Sequence, residues 1–138
     1  MKRRYPGESL QLVEMLCTDK IEFGGNITSM NTREQIHALS EEMLENLGKL
    51  VAVDSQLGTP SDGKPFGEGP AEALEIGLEI ARELGFKTVN LDNYCGYAEM
   101  GEGEEIVGIA GHLDIVPVGG DWTYDPFKLT RDGDHVYG

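Results

Sequence analysis

The run Ile106-Val-Gly-Ile-Ala110 passes directly into Gly-His-Leu-Asp, and this junction constrains the fold more than any other feature of the chain. Five residues with no polar side chain on either face read as a strand covered on both sides, as at the centre of an α/β sheet. Ligands of such sheets bind just beyond the carboxyl ends of the strands, which is where His112 falls. In extended backbone, side chains two residues apart point the same way, so Asp114 can reach His112 while Leu113 faces the core. A neutral imidazole is a good zinc ligand once its ring is held in one tautomer and one orientation. A carboxylate on the other ring nitrogen is the usual means of holding it. His-x-Asp is nevertheless a common pairing, and the tripeptide identifies nothing until its neighbours are read.

The preceding chain supplies helices. Thr32 and Gln35 suit a capping box, in which each side chain satisfies a free amide at a helix start. Ile36, Leu39, Met43, Leu44, Leu47, Leu50 and Val51 then recur on one face, which predicts a helix over residues 32–53. Residues 55–69 are dense in Gly, Pro, Ser and Asp and read as loop. Pro70 opens a second helix at its first position, and Gly85 closes it. Residues 87–91, 96–100 and 106–110 read as strands, the last two joined by Gly101-Glu-Gly-Glu-Glu. Residues 128–131 and 135–137 form a hairpin turned at Asp132-Gly-Asp134. Helices followed by strands predict an α/β domain with a mixed sheet. Residues 1–30 are the least regular, with Pro6-Gly7, Gly24-Gly25 and one short apolar cluster between Leu10 and Leu16. Met30 is the expected natural start, which makes residues 1–29 an extension and 30–138 the domain.

Charge narrows the partners. The 138 residues carry a formal net charge of −14, which argues against nucleic acid and anionic membranes because both would repel the chain. Hydrophobic content of 39% with 26% charged residues fits a soluble globular protein. Part of the acidity is patterned: Glu72, Glu75, Glu79 and Glu83 lie opposite Leu74, Leu78 and Ala81, as on a solvated helix face. Cys17 and Cys95 are far apart with no metal-ligand spacing, so a disulfide framework is not expected and a reducing cytoplasm is. The basic start Met1-Lys-Arg-Arg is followed by no apolar run long enough for an export signal or a membrane span.

The flanks of His112 carry a resemblance. GHLDIVPVGGDWTYDPF resembles the first zinc-ligand segment of the metallopeptidase family that contains dipeptidase V, carnosinases, aminoacylases and succinyl-diaminopimelate desuccinylase. The family pattern is Gly-His-x-Asp-x-Val-Pro, then a Gly-rich loop with Trp, then Pro-Phe. Gly111, His112, Asp114, Val116, Pro117, Trp122, Pro126 and Phe127 follow it in order. Upstream, Pro65-Phe-Gly-Glu-Gly-Pro70 and the run from Asn93 to Gly101 are similar to the dipeptidase V branch. The likeness runs from about Met30 to Gly138.

This resemblance implies the N-terminal part of a three-layer αβα metallopeptidase domain. It implies His112 as a ligand of one zinc and Asp114 as the catalytic-site residue that orients it. A complete site would hold two zinc ions, with manganese or cobalt accepting similar ligands. There a bridging carboxylate and a water join the metals, and a glutamate acts as general base in dipeptide hydrolysis. Family members continue beyond Val-Tyr-Gly into Arg-Gly and an Asp-Asp-Lys-Gly run that supplies the bridging aspartate. The expectation is therefore a fragment that is inactive alone. The alternatives are a fragment of a desuccinylase-like amide hydrolase, and a non-enzymatic acidic binding module.

The remaining candidates read as structural. His37 is expected on the surface near the start of the first helix, and His135 in the last hairpin. Trp122 and Phe127 are expected to pack their loop, and Asp92 and Glu99 to be exposed at strand ends. A sheet halted partway leaves an unpaired edge and an uncovered apolar face, so marginal stability or self-association is expected.

Overall fold

The computed structural model describes residues 31–138, in two compact units divided after Glu41. The extension, the start at Met30, the Leu10 cluster and Cys17 lie outside the described residues. The elements are α1 (Thr32–Ala38), α2 (Ser40–Val51), α3 (Glu68–Glu83), β1 (Lys87–Leu91), β2 (Cys95–Glu99), β3 (Thr130–Asp132) and β4 (His135–Tyr137).

The expected helix over 32–53 is two helices. Its cap also lies one residue earlier than Thr32 and Gln35. Asn31 Oδ1 accepts from the Glu34 amide at 3.1 Å, and Glu34 Oε2 accepts from the Asn31 amide at 3.0 Å. Asn is a stronger N-cap than Thr, so the box closes there. At Leu39 the helical ladder lapses, and Ser40 Oγ donates to the His37 carbonyl at 2.7 Å. A serine that bonds local backbone in this way competes with helix continuation. His37 is exposed, in the last turn of α1 rather than near its start.

The second unit, from Glu42, is organised around α3. This helix starts at Glu68, with Gly67 as N-cap, so Pro70 is its third residue rather than its first. Pro is tolerated throughout the first helical turn because those amides lack helical partners. Gly85, with φ of 89°, follows the last turn as expected. Glu72, Glu75, Glu79 and Glu83 are exposed, and Ala71, Ala73 and Leu78 are buried on the other side. That side packs on the β1–β2 hairpin. Leu78 lies over Gly96, where an added Cβ would meet its methyl carbons at 3.0 Å. Burial of Leu78 contributes about 1.5–3 kcal/mol.

β1 pairs antiparallel with β2, Lys87 opposite Glu99 and Leu91 opposite Cys95, so the second strand begins one residue before the expected 96–100. Asp92 turns between them with φ of 53° and is exposed, as is Glu99. β3 pairs antiparallel with β4, starting at Thr130 rather than at 128. Among the described residues two separate antiparallel pairs stand where a mixed sheet was expected, and the parallel component is a single bridge between Gln56 and Ile115. Helices with small antiparallel sheets remain compatible with the α/β class.

The largest departure is residues 106–110. They form no strand, and Ile106 is 91% and Ile109 99% exposed. A strand without polar side chains needs a packed layer on each face. Among the described residues the buried apolar side chains are Val53, Ala71, Ala73 and Leu78, which build no second layer. Among the described residues nothing supplies the cover that such a strand needs.

Candidate functional site

Two segments far apart in sequence meet to place His112. α2 ends at Val51, and the chain turns through Val53 into Ser55, which is buried with 2% exposure. Ser55 Oγ donates to the Leu113 carbonyl at 2.8 Å, and the Ile115 amide donates to the Ser55 carbonyl at 3.4 Å. Residues 113–115 are thereby held extended beside residues 55–56. Leu113 packs on α3 at Gly77, where an added Cβ would come within 2.8 Å of Leu113 Cδ1. A larger residue there would push the end of the Leu113 side chain aside. With Leu113 turned to the helix, the period-two geometry of extended chain sends His112 and Asp114 the other way.

Ser55 is the residue that sequence reasoning passed over. A serine in a Gly/Pro-rich loop carries no local sign of a partner 58 residues away. Ser55→Ala is expected to lower stability by about 1 kcal/mol, the net worth of one hydrogen bond, in urea unfolding. An unchanged midpoint would remove Ser55 from this role.

His112 and Asp114 are brought together and face solvent, with side chains 81% and 67% exposed. The nearest acceptor to His112 Nδ1 is the backbone carbonyl of Asp114 at 2.9 Å, and the carboxylate Oδ1 follows at 3.5 Å. Both favour a proton on Nδ1, which leaves the Nε2 lone pair outward for an electrophile. An imidazole with a carboxylate beside it is a donor set that suits zinc, and His112 fits as one ligand. Among the described residues no three His, Cys, Asp or Glu side chains converge as a metal cluster. His135 lies exposed in the β3–β4 hairpin, and Cys95 is a free, exposed thiol.

The His112–Asp114 strip stands between two cavities. One of about 490 Å³ is bordered by Phe66, Leu74, Tyr94 and Cys95. The other, of about 470 Å³, is bordered by Leu50, Val53, Pro117 and Trp122. Phe66 meets Tyr94 edge to face, with centroids 5.6 Å apart, and Asn93 Nδ2 donates to the Gly63 carbonyl at 2.7 Å. These contacts fix the loop before α3 against the β1–β2 turn. The outline is a polar pair flanked by apolar walls, as small-molecule sites commonly are.

Known proteins similar to the chain bear on what this outline serves. The chain is 38% identical over 112 residues to the Beta-Ala-Xaa dipeptidase of Lactobacillus delbrueckii subsp. lactis, covering 79% of the chain and 24% of that protein. It is 36% identical over 110 residues to the putative dipeptidase YtjP of Bacillus subtilis, covering 78% and 24%. The chain is similar to proteins named dipeptidases. A putative dipeptidase of Staphylococcus haemolyticus is similar at 34% identity over 106 residues, 75% of the chain and 23% of that protein. The chain thus spans about a quarter of the length of these dipeptidases. No protein-family model matches it. No helix among the described residues is long and apolar enough to cross a membrane.

Proposed function

We propose that this chain is part of a metal-dependent dipeptidase, that His112 is one of its metal ligands, and that Asp114 orients His112. The reading rests on the likeness to proteins named dipeptidases, and one observation carries the site: His112 Nδ1 is engaged by Asp114 at 2.9 Å while Nε2 is left outward. The metal is zinc in this reading, two ions in a complete site, with manganese or cobalt as ions that accept the same donors. When bound, the metals polarise a carbonyl and lower the pKa of a water. His112 donates its Nε2 lone pair, and Asp114 keeps the ring in the tautomer that makes this donation available. Phe66 and Leu74 supply apolar surface beside the polar pair. The remaining ligands and the general base would come from polypeptide outside these 138 residues. A cytoplasmic location, resting on the sparse and separated cysteines, belongs to the same proposal.

The test is a chimera. Residues 31–138 replace the matching stretch of the Bacillus subtilis relative, and dipeptide hydrolysis is assayed with zinc or manganese. Hydrolysis by the chimera, with none by the 138-residue chain alone, is the expected result. A folded, metal-loaded chimera inactive on dipeptides but active on N-succinyl amides would move the reading to the desuccinylase branch. Inactivity on both would sink it.

Asp114→Asn in the active chimera separates the two acceptors on Nδ1. Loss of a carboxylate behind a ligating histidine costs about 10–100-fold in metal affinity or activity. The Asp114 carbonyl remains at 2.9 Å in the variant, so the expected loss is at the lower end, about tenfold. Metal affinity should fall in parallel with an unchanged melting temperature. A loss of affinity below about twofold would exclude the carboxylate from the orienting role.

A further inference from the structure

The loop after the His-x-Asp strip and the last hairpin enclose a second feature that the peptidase reading leaves unused. Gly120, Asp121, Trp122, Tyr124 and Tyr137 border a cleft of about 240 Å³. Trp122 is fixed by its Nε1, which donates to the Val118 carbonyl at 2.6 Å, yet the side chain stays half exposed. Tyr124 and Tyr137 have centroids 4.9 Å apart at 35°, and the His135 ring lies 6.3 Å from that of Tyr137. Three aromatic rings therefore meet at one exposed opening.

We propose that this cleft binds a small organic cation, an alkylated ammonium head group. Three observations favour a cation over a neutral apolar guest. The cleft is bordered by Asp121, whose carboxylate has no hydrogen-bond or ion-pair partner among the described residues. No lysine or arginine borders it, in a chain whose net charge is −14. Tyr124 Oη donates to Asp132 Oδ2 at 3.0 Å, so a second carboxylate sits at the hydroxyl end of the ring and adds negative charge to it. That bond holds the Tyr124 phenol above its usual range and keeps it a neutral donor.

Aromatic faces within about 6 Å of a cation attract it through their quadrupoles, and clustered aromatic rings are the usual receptor for quaternary ammonium groups. Size sets the rest of the class. The volume of about 240 Å³ lies below the roughly 300–1,000 Å³ of sites for drug-sized molecules. It accommodates a head group with the remainder of the ligand in solvent. Asp121 takes a left-handed conformation, φ of 65°, at the rim. Trp122 also borders the cavity beside His112, so an occupant here would adjoin the polar strip without using its nitrogen or carboxylate.

Trp122 is the single tryptophan of the chain, which makes its emission a local reporter. The 138-residue chain is titrated with choline, and separately with the neutral isostere in which a tert-butyl group replaces trimethylammonium. A saturable change of Trp122 emission with choline is expected, at an affinity about tenfold above that of the isostere. Tyr137→Leu keeps apolar bulk and removes the aromatic face, and should weaken choline about tenfold. Asp121→Asn, at an exposed position, is expected to weaken choline while leaving the isostere unchanged. Equal response to choline and isostere, no saturable response to choline, or full choline affinity in Tyr137→Leu would each overturn the proposal. None of these outcomes depends on dipeptide hydrolysis.

Discussion

His112→Ala is expected to lower kcat/KM for dipeptide hydrolysis by about a thousandfold in the chimera described above, where the rest of the site is present. A metal that polarises the scissile carbonyl contributes several kcal/mol to the transition state, and each 1.4 kcal/mol or so is a factor of ten. Removing one of its few protein ligands forfeits most of that contribution. Fold stability should be untouched, because the side chain is 81% exposed and its bond to Asp114 is local. The measurement is steady-state kinetics at saturating metal, paired with a melting curve of the metal-free protein. A loss smaller than about tenfold at equal metal occupancy would remove His112 from the metal site.

Gly69→Ala is expected to have the largest effect on stability of any single methyl addition considered. Gly69 is the second residue of α3, and an added Cβ would lie 1.8 Å from the Asp54 carbonyl oxygen and 3.2 Å from Ser55 Cα. A backbone oxygen cannot swing aside as a side chain would. The start of α3 or residues 54–55 must move, and the Ser55 carbonyl accepts the hydrogen bond from the Ile115 amide. Overpacking of this kind costs about 1–3 kcal/mol, at the upper end here because only backbone can yield. Domains of this size hold about 5–15 kcal/mol in total, and the four buried apolar residues among those described place this one low in that range. Urea unfolding of Gly69→Ala beside Gly108→Ala reads the difference, since an added Cβ at Gly108 meets nothing within 4 Å. Equal midpoints would refute the close approach at Gly69.

How much of this was legible follows from the range of the interactions involved. β1 at Lys87–Leu91, the glycine cap at Gly85 and the acidic face of α3 are encoded by near neighbours, and the structure has them as the sequence reads. The break at Leu39 and the cap at Asn31 are equally local, but two competing hydrogen bonds decide them, and residue type alone ranks such bonds poorly. The run 106–110 was misread for a different reason. Its apolar pattern specifies a need for cover, and the cover is not among the described residues. At the site, His112 and Asp114 were legible as a pair because a spacing of two fixes their common direction. Which Asp114 oxygen stands nearer to Nδ1 was not legible, since it depends on the torsions of one short strip. Ser55 was invisible because its partner is 58 residues away.

That distance has a kinetic meaning. The two hairpins and α3 close over a few residues each and can form early, whereas the Ser55–Leu113 bond closes a 58-residue loop. The entropy of that closure grows as the logarithm of loop length and is on the order of 3–4 kcal/mol for such a span. Little buried apolar surface nearby offsets it. The imidazole is therefore expected to be set in place late, by a long-range closure at Ser55, after the local elements that flank it have formed.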